Sequence, residues 1–326
     1  MAAQKNIAYI LLYLAVPIVL VCLIHKQGKD SVLNFTRVAM MILAIGLVMK
    51  YINPSEATSH GGRLKGTFGN PNGLGMFCFF SYTLFIVCKD YLKCKISRIE
   101  NIAFHSLILL SLLWSGSRGS LIGLLIFIIA KPLTKISPFL PFIIFPIPIL
   151  FFDEITIFLV ESIQDLGLQK ALRVSSVDEL KTGSGRAIAR EFAWKEIQEA
   201  FFLGRGWRYD EIWIYGPIQQ TLNLLNHQGG VHNSYLILWL NTGLVGIVLF
   251  FSALIYTVAE AAKKSNLAIP LFFGAMFVAN FEPWLVGPLN PYTIQFIMCL
   301  AIFIYVPKGG DELSHENLNV IDNQND

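Results

Sequence analysis

The chain is poor in charge. Only 14% of its 326 residues are Asp, Glu, Lys or Arg, against about 25% in a soluble globular protein. Its net charge is a small +3, and no continuous basic patch with interleaved aromatics occurs, which argues against nucleic acid as a partner. The five cysteines are Cys22, Cys78, Cys88, Cys94 and Cys299. All lie in or beside apolar runs and none has CxxC spacing, so disulfides and structural zinc are not expected. The first apolar run has only Lys5 before it and no small-residue cleavage site after it. It reads as a retained helix rather than a signal peptide.

What is present is apolar residue, 54% of the chain, bunched into long runs. That is the pattern of an all-α polytopic membrane protein. About nine spans can be drawn: Ile7–Ile24, Leu33–Val48, Gly73–Val87, Ile102–Trp114, Leu121–Ala130, Phe139–Phe152, Ser234–Tyr256, Ile269–Leu285 and Tyr292–Val306. The middle ones are short of the ~20 residues that cross the hydrocarbon. Basic residues follow alternate spans: Lys26 and Lys29; Lys89, Lys93, Lys95 and Arg98; Lys131 and Lys135; Lys263 and Lys264. The positive-inside rule puts these loops in the cytoplasm and the N-terminus outside. The expected organisation is an N-terminal membrane part (1–152) with an outer loop at 51–72, and a large extracytoplasmic loop (153–233) bearing an amphipathic helix. C-terminal helices (234–306) and a polar, disordered cytoplasmic tail (307–326) complete it.

The outward segments carry the chemistry-bearing residues. The first outer loop reads Gly61-Gly-Arg-Leu-Lys-Gly-Thr-Phe-Gly-Asn-Pro-Asn-Gly-Leu-Gly75. Its glycines expose backbone amides, and Arg63 with Lys65 makes an anion site plausible; a flexible connector is the plainer reading. Arg118 sits between two apolar runs in Trp114-Ser-Gly-Ser-Arg-Gly-Ser120. A charge held beside hydrocarbon is expensive, which favours function over simple snorkelling. Gly185-Arg186 opens a stretch in which Ile188, Phe192, Ile197 and Phe201 recur at helical spacing. Such a helix would lie on the membrane or cap a cavity. Gly204-Arg-Gly206-Trp207 then breaks it, leaving Arg205 and Arg208 as cationic contacts or solvated loop residues. His232, at the start of the next span, can exchange protons near neutral pH. His227 lies five residues earlier and off its helical face. The acids Asp153, Glu154, Glu161, Asp165, Asp210 and Glu211 form no compact metal motif, and no metal or other cofactor is expected.

Taken in order, four stretches resemble the O-antigen ligase and polysaccharide polymerase superfamily. They are Arg63-Leu-Lys-Gly-Thr-Phe-Gly-Asn-Pro-Asn72, Ser117-Arg-Gly119, Gly185-Arg186 with Trp194 and Gly204-Arg-Gly206, and His232-Asn-Ser-Tyr-Leu236 followed by Asn241-Thr-Gly243-Leu-Val-Gly246. The resemblance implies a GT-C-like fold in the bacterial cytoplasmic membrane, with the active site on its outer face. It implies an inverting glycosyltransferase that takes glycan from an undecaprenyl diphosphate donor. Ligases of the family pass it to lipid A–core, polymerases to the next lipid-linked repeat unit, and some relatives to protein. The family pattern maps onto Arg118, Arg186 and His232 as catalytic residues. Arg63, Asn72, Asn233, Arg205 and Arg208 are then the expected substrate-binding residues. Family chains commonly carry more residues before the first outer motif than the two spans seen here, an expectation open to a trimmed natural variant, a mis-called start or a truncated gene.

Two other readings compete. A transporter would explain the many spans, but predicts paired ionisable groups at mid-membrane and broken inverted repeats. Glu282, flanked by Phe281 and Pro283, is the best intramembrane acid; it could equally cap a helix or orient an arginine. A non-catalytic scaffold of the same family is the third.

Overall fold

The computed structural model describes residues 2–151, 154, 158, 186–214, 230–286 and 290–309. All regular structure among them is helical, apart from an isolated bridge between Thr58 and Leu64. α1 (Ala2–Gln27) turns into α2 (Asp30–Ile52) through Gly28, whose φ of 76° is left-handed. A short helix α3 (Pro54–Ala57) and the glycine-rich loop follow. α4 (Pro71–Ile86) then runs on, in a wider turn, to Tyr91. Its start explains the Asn-Pro-Asn-Gly motif: the Asn70 side chain accepts from the Gly73 amide, and Pro71 occupies the first helical position, where no donor is lost. α4 is almost wholly buried, with α2 and the helices Arg98–Ser115, Arg118–Ile136 and Pro291–Tyr305 packed around it.

α5 (Arg98–Ser115) opens on a Ser97 cap, with Glu100 at the third helical position, and ends at left-handed Gly116. α6 (Arg118–Ile136) follows after a single further residue. α7 (Leu140–Ile144) and α8 (Pro146–Leu150) are single turns. α9 (Arg186–Glu199) and α10 (Tyr209–Ile214) belong to the long loop. α11 (Ser234–Lys264), α12 (Ala268–Ala279) and α13 (Pro291–Tyr305) complete the bundle. The cap of α13 repeats that of α4: Asn290 accepts from Thr293, with Pro291 first in the helix.

The nine expected spans are not all found. Five helices among the described residues are long and apolar enough to cross a membrane: Ile10–Gln27, Asp30–Ile52, Pro71–Tyr91, Arg118–Ile136 and Ser234–Lys264. The chain is thus an all-α, multi-pass membrane protein. Phe139–Phe152, described as far as Phe151, is divided into the two single turns at Phe145–Pro146, since proline lacks the amide that would continue the helical ladder. Ile269–Leu285 stops at Ala279, ahead of Pro283, leaving 12 helical residues; α13 has 15. Both fall short of a full crossing at about 1.5 Å per residue. Leu121–Ala130 proves longer than expected, extending through Lys131 and Lys135 to Ile136.

The helices have two distinct ends. At one, Lys29 donates to the Gly309 carbonyl, Lys131 pairs with Asp90 at 2.5 Å, and Lys264 donates to the Ile304 carbonyl. The other end gathers Arg63, Arg118, His232 and Glu282. α6 and α12 cross tightly because glycines face each other. A Cβ added at Gly274 would sit 2.8 Å from the Gly123 oxygen.

α11 is broken at Gly243 (φ 67°, ψ −175°), and residues 201–206 dock into the break. The Arg205 and Gly206 amides donate to the Leu240 and Asn241 carbonyls, at 2.8 and 3.0 Å. Leu244 and Val245 amides donate to Phe201 and Phe202 carbonyls, at 2.9 and 3.2 Å. A Cβ on Gly243 would lie 2.2 Å from the Phe202 oxygen. We therefore expect Gly243→Ala to cost at least ~2 kcal/mol from backbone strain and clash, read as a lowered midpoint of thermal unfolding in detergent. Gly69→Ala, where an added Cβ meets nothing within 4 Å, is expected to leave the midpoint unchanged.

Candidate functional site

A buried carboxylate organises the end of the bundle opposite the lysines. Glu282 lies just beyond α12 with 7% of its side chain exposed. Its Oε1 accepts a hydrogen bond from Asn72 Nδ2 at 2.7 Å, across 210 residues of sequence. Asn72 Oδ1 in turn accepts from an Arg63 terminal nitrogen at 2.8 Å. Arg63 also donates to the carbonyls of Ser115 (2.8 Å) and Gly116 (3.2 Å), at the turn that leads into Arg118. On its other side, Glu282 Oε2 faces His232 Nδ1 at 3.5 Å, an ion-pair distance rather than a close hydrogen bond. The Ser234 hydroxyl donates to the Glu282 carbonyl at 2.8 Å and locks the acid to the start of α11. The line Arg63–Asn72–Glu282–His232 therefore joins the first outer loop, the α12 terminus and the start of α11.

His232 is strained into place. Its φ of 46° is left-handed, one of three such non-glycine residues among those described. With Nδ1 toward Glu282, Nε2 faces Gly230: a Cβ added there would be 3.2 Å away. The side chain is 30% exposed, so a ligand can reach it.

Arg118 is exposed at the first position of α6. Neighbouring Gly119 packs against the Phe281 ring, one residue from Glu282, and Gly116 packs against Arg63. These contacts bring the start of α6 to the same carboxylate. Arg186 is the first residue of α9. Further along α9, Arg190, Ala193 and Ile197 share one face of the helix. That face meets the bundle: Ala193 and Ile197 are buried, and Arg190 donates to the Asn280 carbonyl at 2.8 Å. The same carbonyl accepts from Asn233 Nδ2 at 3.1 Å. Asn280 thus ties the arginine helix to the histidine turn.

The other expected ligands have structural partners. Asn233 caps α11 by accepting from the Leu236 amide at 2.9 Å. Arg205 pairs with Glu199, and with Glu196 at 3.3 Å, pinning the loop to α9. Arg208, buried and left-handed (φ 71°), pairs with Glu211. Burial draws its guanidinium below the usual arginine range. His227, Asp153, Glu161 and Asp165 lie outside the described residues. Among the described residues no three His, Cys, Asp or Glu side chains gather into a metal-sized group. Sequence reasoning left Glu282 and Arg190 out of the site. The signal for Glu282 was an acid inside an apolar run, followed by a proline. Arg190 carried one in its spacing of four from Arg186.

Residues 103–251 match the family model described as O-antigen ligase. This stretch belongs to the O-antigen ligase family. It covers just under half of the chain and takes in Arg118, Arg186, Arg205, Arg208, His232 and Asn233. Arg63, Asn72 and Glu282 lie outside the O-antigen ligase match, yet they pack against its histidine turn and its Arg118 turn. No curated protein and no solved structure matches the chain significantly.

The loop that docks into α11 has its own half-buried acid. Asp210 Oδ1 accepts from Asn241 Nδ2 at 2.8 Å, and its amide donates to Asn241 Oδ1 at 3.2 Å. Burial raises the Asp210 carboxyl above the usual carboxylate range, against the pull of Asn241 and Arg208. The folded state thus holds this proton more tightly than the unfolded chain. Its contribution to stability is greatest below the ordinary carboxylate pKa and is lost as pH rises through the raised folded value. Asp210→Asn keeps an acceptor oxygen for Asn241 and is expected to remove that loss. Thermal melts across the acidic range check this; an unchanged slope in the variant would assign the dependence elsewhere.

Proposed function

We propose that the protein is an O-antigen ligase-like glycosyltransferase. It moves glycan from undecaprenyl diphosphate to an acceptor hydroxyl at the outer face of the cytoplasmic membrane. The observation that carries this reading is the convergence of Arg63, the Arg118 turn and the His232–Glu282 pair at one end of the bundle, with the Arg190 face of α9 packed alongside. The lysine-rich opposite end supports an orientation with that end in the cytoplasm.

The chemistry follows from the donor. A diphosphate on the anomeric carbon leaves readily once its charge is held. Arg118 and Arg186 offer planar, bidentate donors for its oxygens. Their stabilisation grows as the anomeric C–O bond breaks and negative charge collects on the departing diphosphate. Arg63 adds positive potential at the same end. His232 Nε2 takes the acceptor proton as the acceptor oxygen bonds to the anomeric carbon. Attack opposite the leaving group inverts that carbon. Glu282 orients the ring through Nδ1 and stabilises the imidazolium that forms. The carrier diphosphate departs with the C–O bonding pair. The arginines carry the charge of the leaving group, so the reading needs no metal ion and no nucleotide.

The test is transfer by purified protein from an undecaprenyl-diphosphate-linked repeat unit, alone or with lipid A–core. Wild type is expected to give product, and EDTA to leave the rate unchanged. A shift of the core acceptor marks a ligase; a ladder from donor alone marks a polymerase using the same chemistry. His232→Ala is expected to lose roughly 10²–10⁴-fold in rate, the usual worth of a general base, with donor binding retained. Arg118→Ala and Arg186→Ala are expected to lose rate as well. Full activity in all three variants would sink the mechanism.

A further inference from the structure

We propose that the Phe201–Leu203 turn after α9 is immersed in lipid acyl chains beside α11, in the leaflet at the Ser234 end of that helix. The inference rests on α11 crossing the membrane and not on the transfer reaction.

Depth is the first argument. From Gly243 toward its C-terminus, α11 carries no charge until Glu260, followed by Lys263 and Lys264. That stretch is roughly 25 Å of helix, within the ~30 Å hydrocarbon core. With Glu260 at one boundary, Gly243 lies inside the other. Phe201 and Phe202 are hydrogen-bonded directly to residues 244 and 245, so they sit at the same level.

The backbone of residues 201–206 is tied to α11 at this level. Irregular chain at membrane depth must have its polar groups paired by protein. The break in α11 takes the Phe201 and Phe202 carbonyls, and beyond the turn the Arg205 and Gly206 amides, while the Gly204 amide closes the turn onto the Ala200 carbonyl at 2.8 Å. The Trp239 indole also donates to the Phe201 carbonyl at 3.1 Å.

The surface completes the case. Phe202 is 64% exposed and Leu203 79%. They continue the exposed apolar face of α11 formed by Val245, Val248 and Leu249. Acyl chains are the occupant that covers such a face on a spanning helix. Trp194 and Trp239 meet edge to face at 5.5 Å, and tryptophan is enriched at the membrane–water interface. Arg205, Glu196 and Glu199 pair just beyond, where the headgroups begin. The turn therefore fixes the height of the end of α9, where Glu196, Glu199 and Arg205 pair.

The test is a nitroxide label on Leu203→Cys, with Cys22→Ser removing the exposed native thiol; the other four cysteines are buried. The protein is reconstituted into phosphatidylethanolamine–phosphatidylglycerol vesicles. Collisions with oxygen are expected to exceed those with a water-soluble nickel chelate, as for a label on Leu249→Cys. Glu199→Cys is expected to show the reverse. A Leu203 label that follows Glu199, or that neither reagent reaches because a second copy or another protein covers it, would overturn the proposal. Phe202→Cys serves as the second site should the first variant fail to fold.

Discussion

A carboxylate buried at the edge of a membrane bundle is costly unless its oxygens are held. The desolvation of an ion amounts to several kcal/mol even after relaxation. Glu282 meets that constraint with Asn72 on one oxygen and His232 facing the other. The remaining features of this end of the molecule follow from those two contacts. Asn72 can reach Glu282 because the Asn70–Pro71 cap starts α4 at that point. Arg63 is drawn onto Asn72 and so closes the first outer loop over the turn before Arg118. His232 accepts a left-handed backbone to face the acid, and Ser234 and Asn233 fix the turn that holds it there.

The second organising feature is the break in α11. A helix that breaks exposes carbonyls on one side and amides on the other, and these need partners. Residues 201–206 supply them as a short irregular strap, which makes Gly204 and Gly243 mutually dependent: each leaves room for the other's backbone. Arg205 then secures the strap to α9, and the Asp210–Asn241 pair secures α10 to α11. The position of Arg186 relative to His232 is therefore set twice, once by this strap and once by the shared carbonyl of Asn280.

Much of this was legible in the sequence, because hydrophobic runs and caps are local signals. The spans beginning near Ile7, Leu33, Gly73 and Ser234, the helix opening at Arg186 and the turn between Ser115 and Arg118 need only nearby residues to be recognised. The span count was not legible, since one run is interrupted at Pro146 and another helix stops ahead of Pro283, where average hydropathy draws each as continuous. Glu282 could be noticed but not placed, because its partners Asn72 and His232 come from distant parts of the chain. Arg205 and Arg208 read as loop cations; their acidic partners lie three to nine residues away, and only the fold brings them into pairing. Gly204-Arg-Gly206 and Asn241-Thr-Gly243 appeared as separate motifs, although they are two halves of one backbone junction.

The claim that one carboxylate assembles the site is tested most directly by a double-mutant cycle on transfer rate, using Asn72→Ala, Glu282→Ala and the pair. If Asn72 acts through Glu282, the double variant loses about as much as the more damaging single change, and the two effects do not add. Independent, additive losses would contradict the account: Asn72 and Glu282 would then act separately, and the line from Arg63 to His232 would be packing without function.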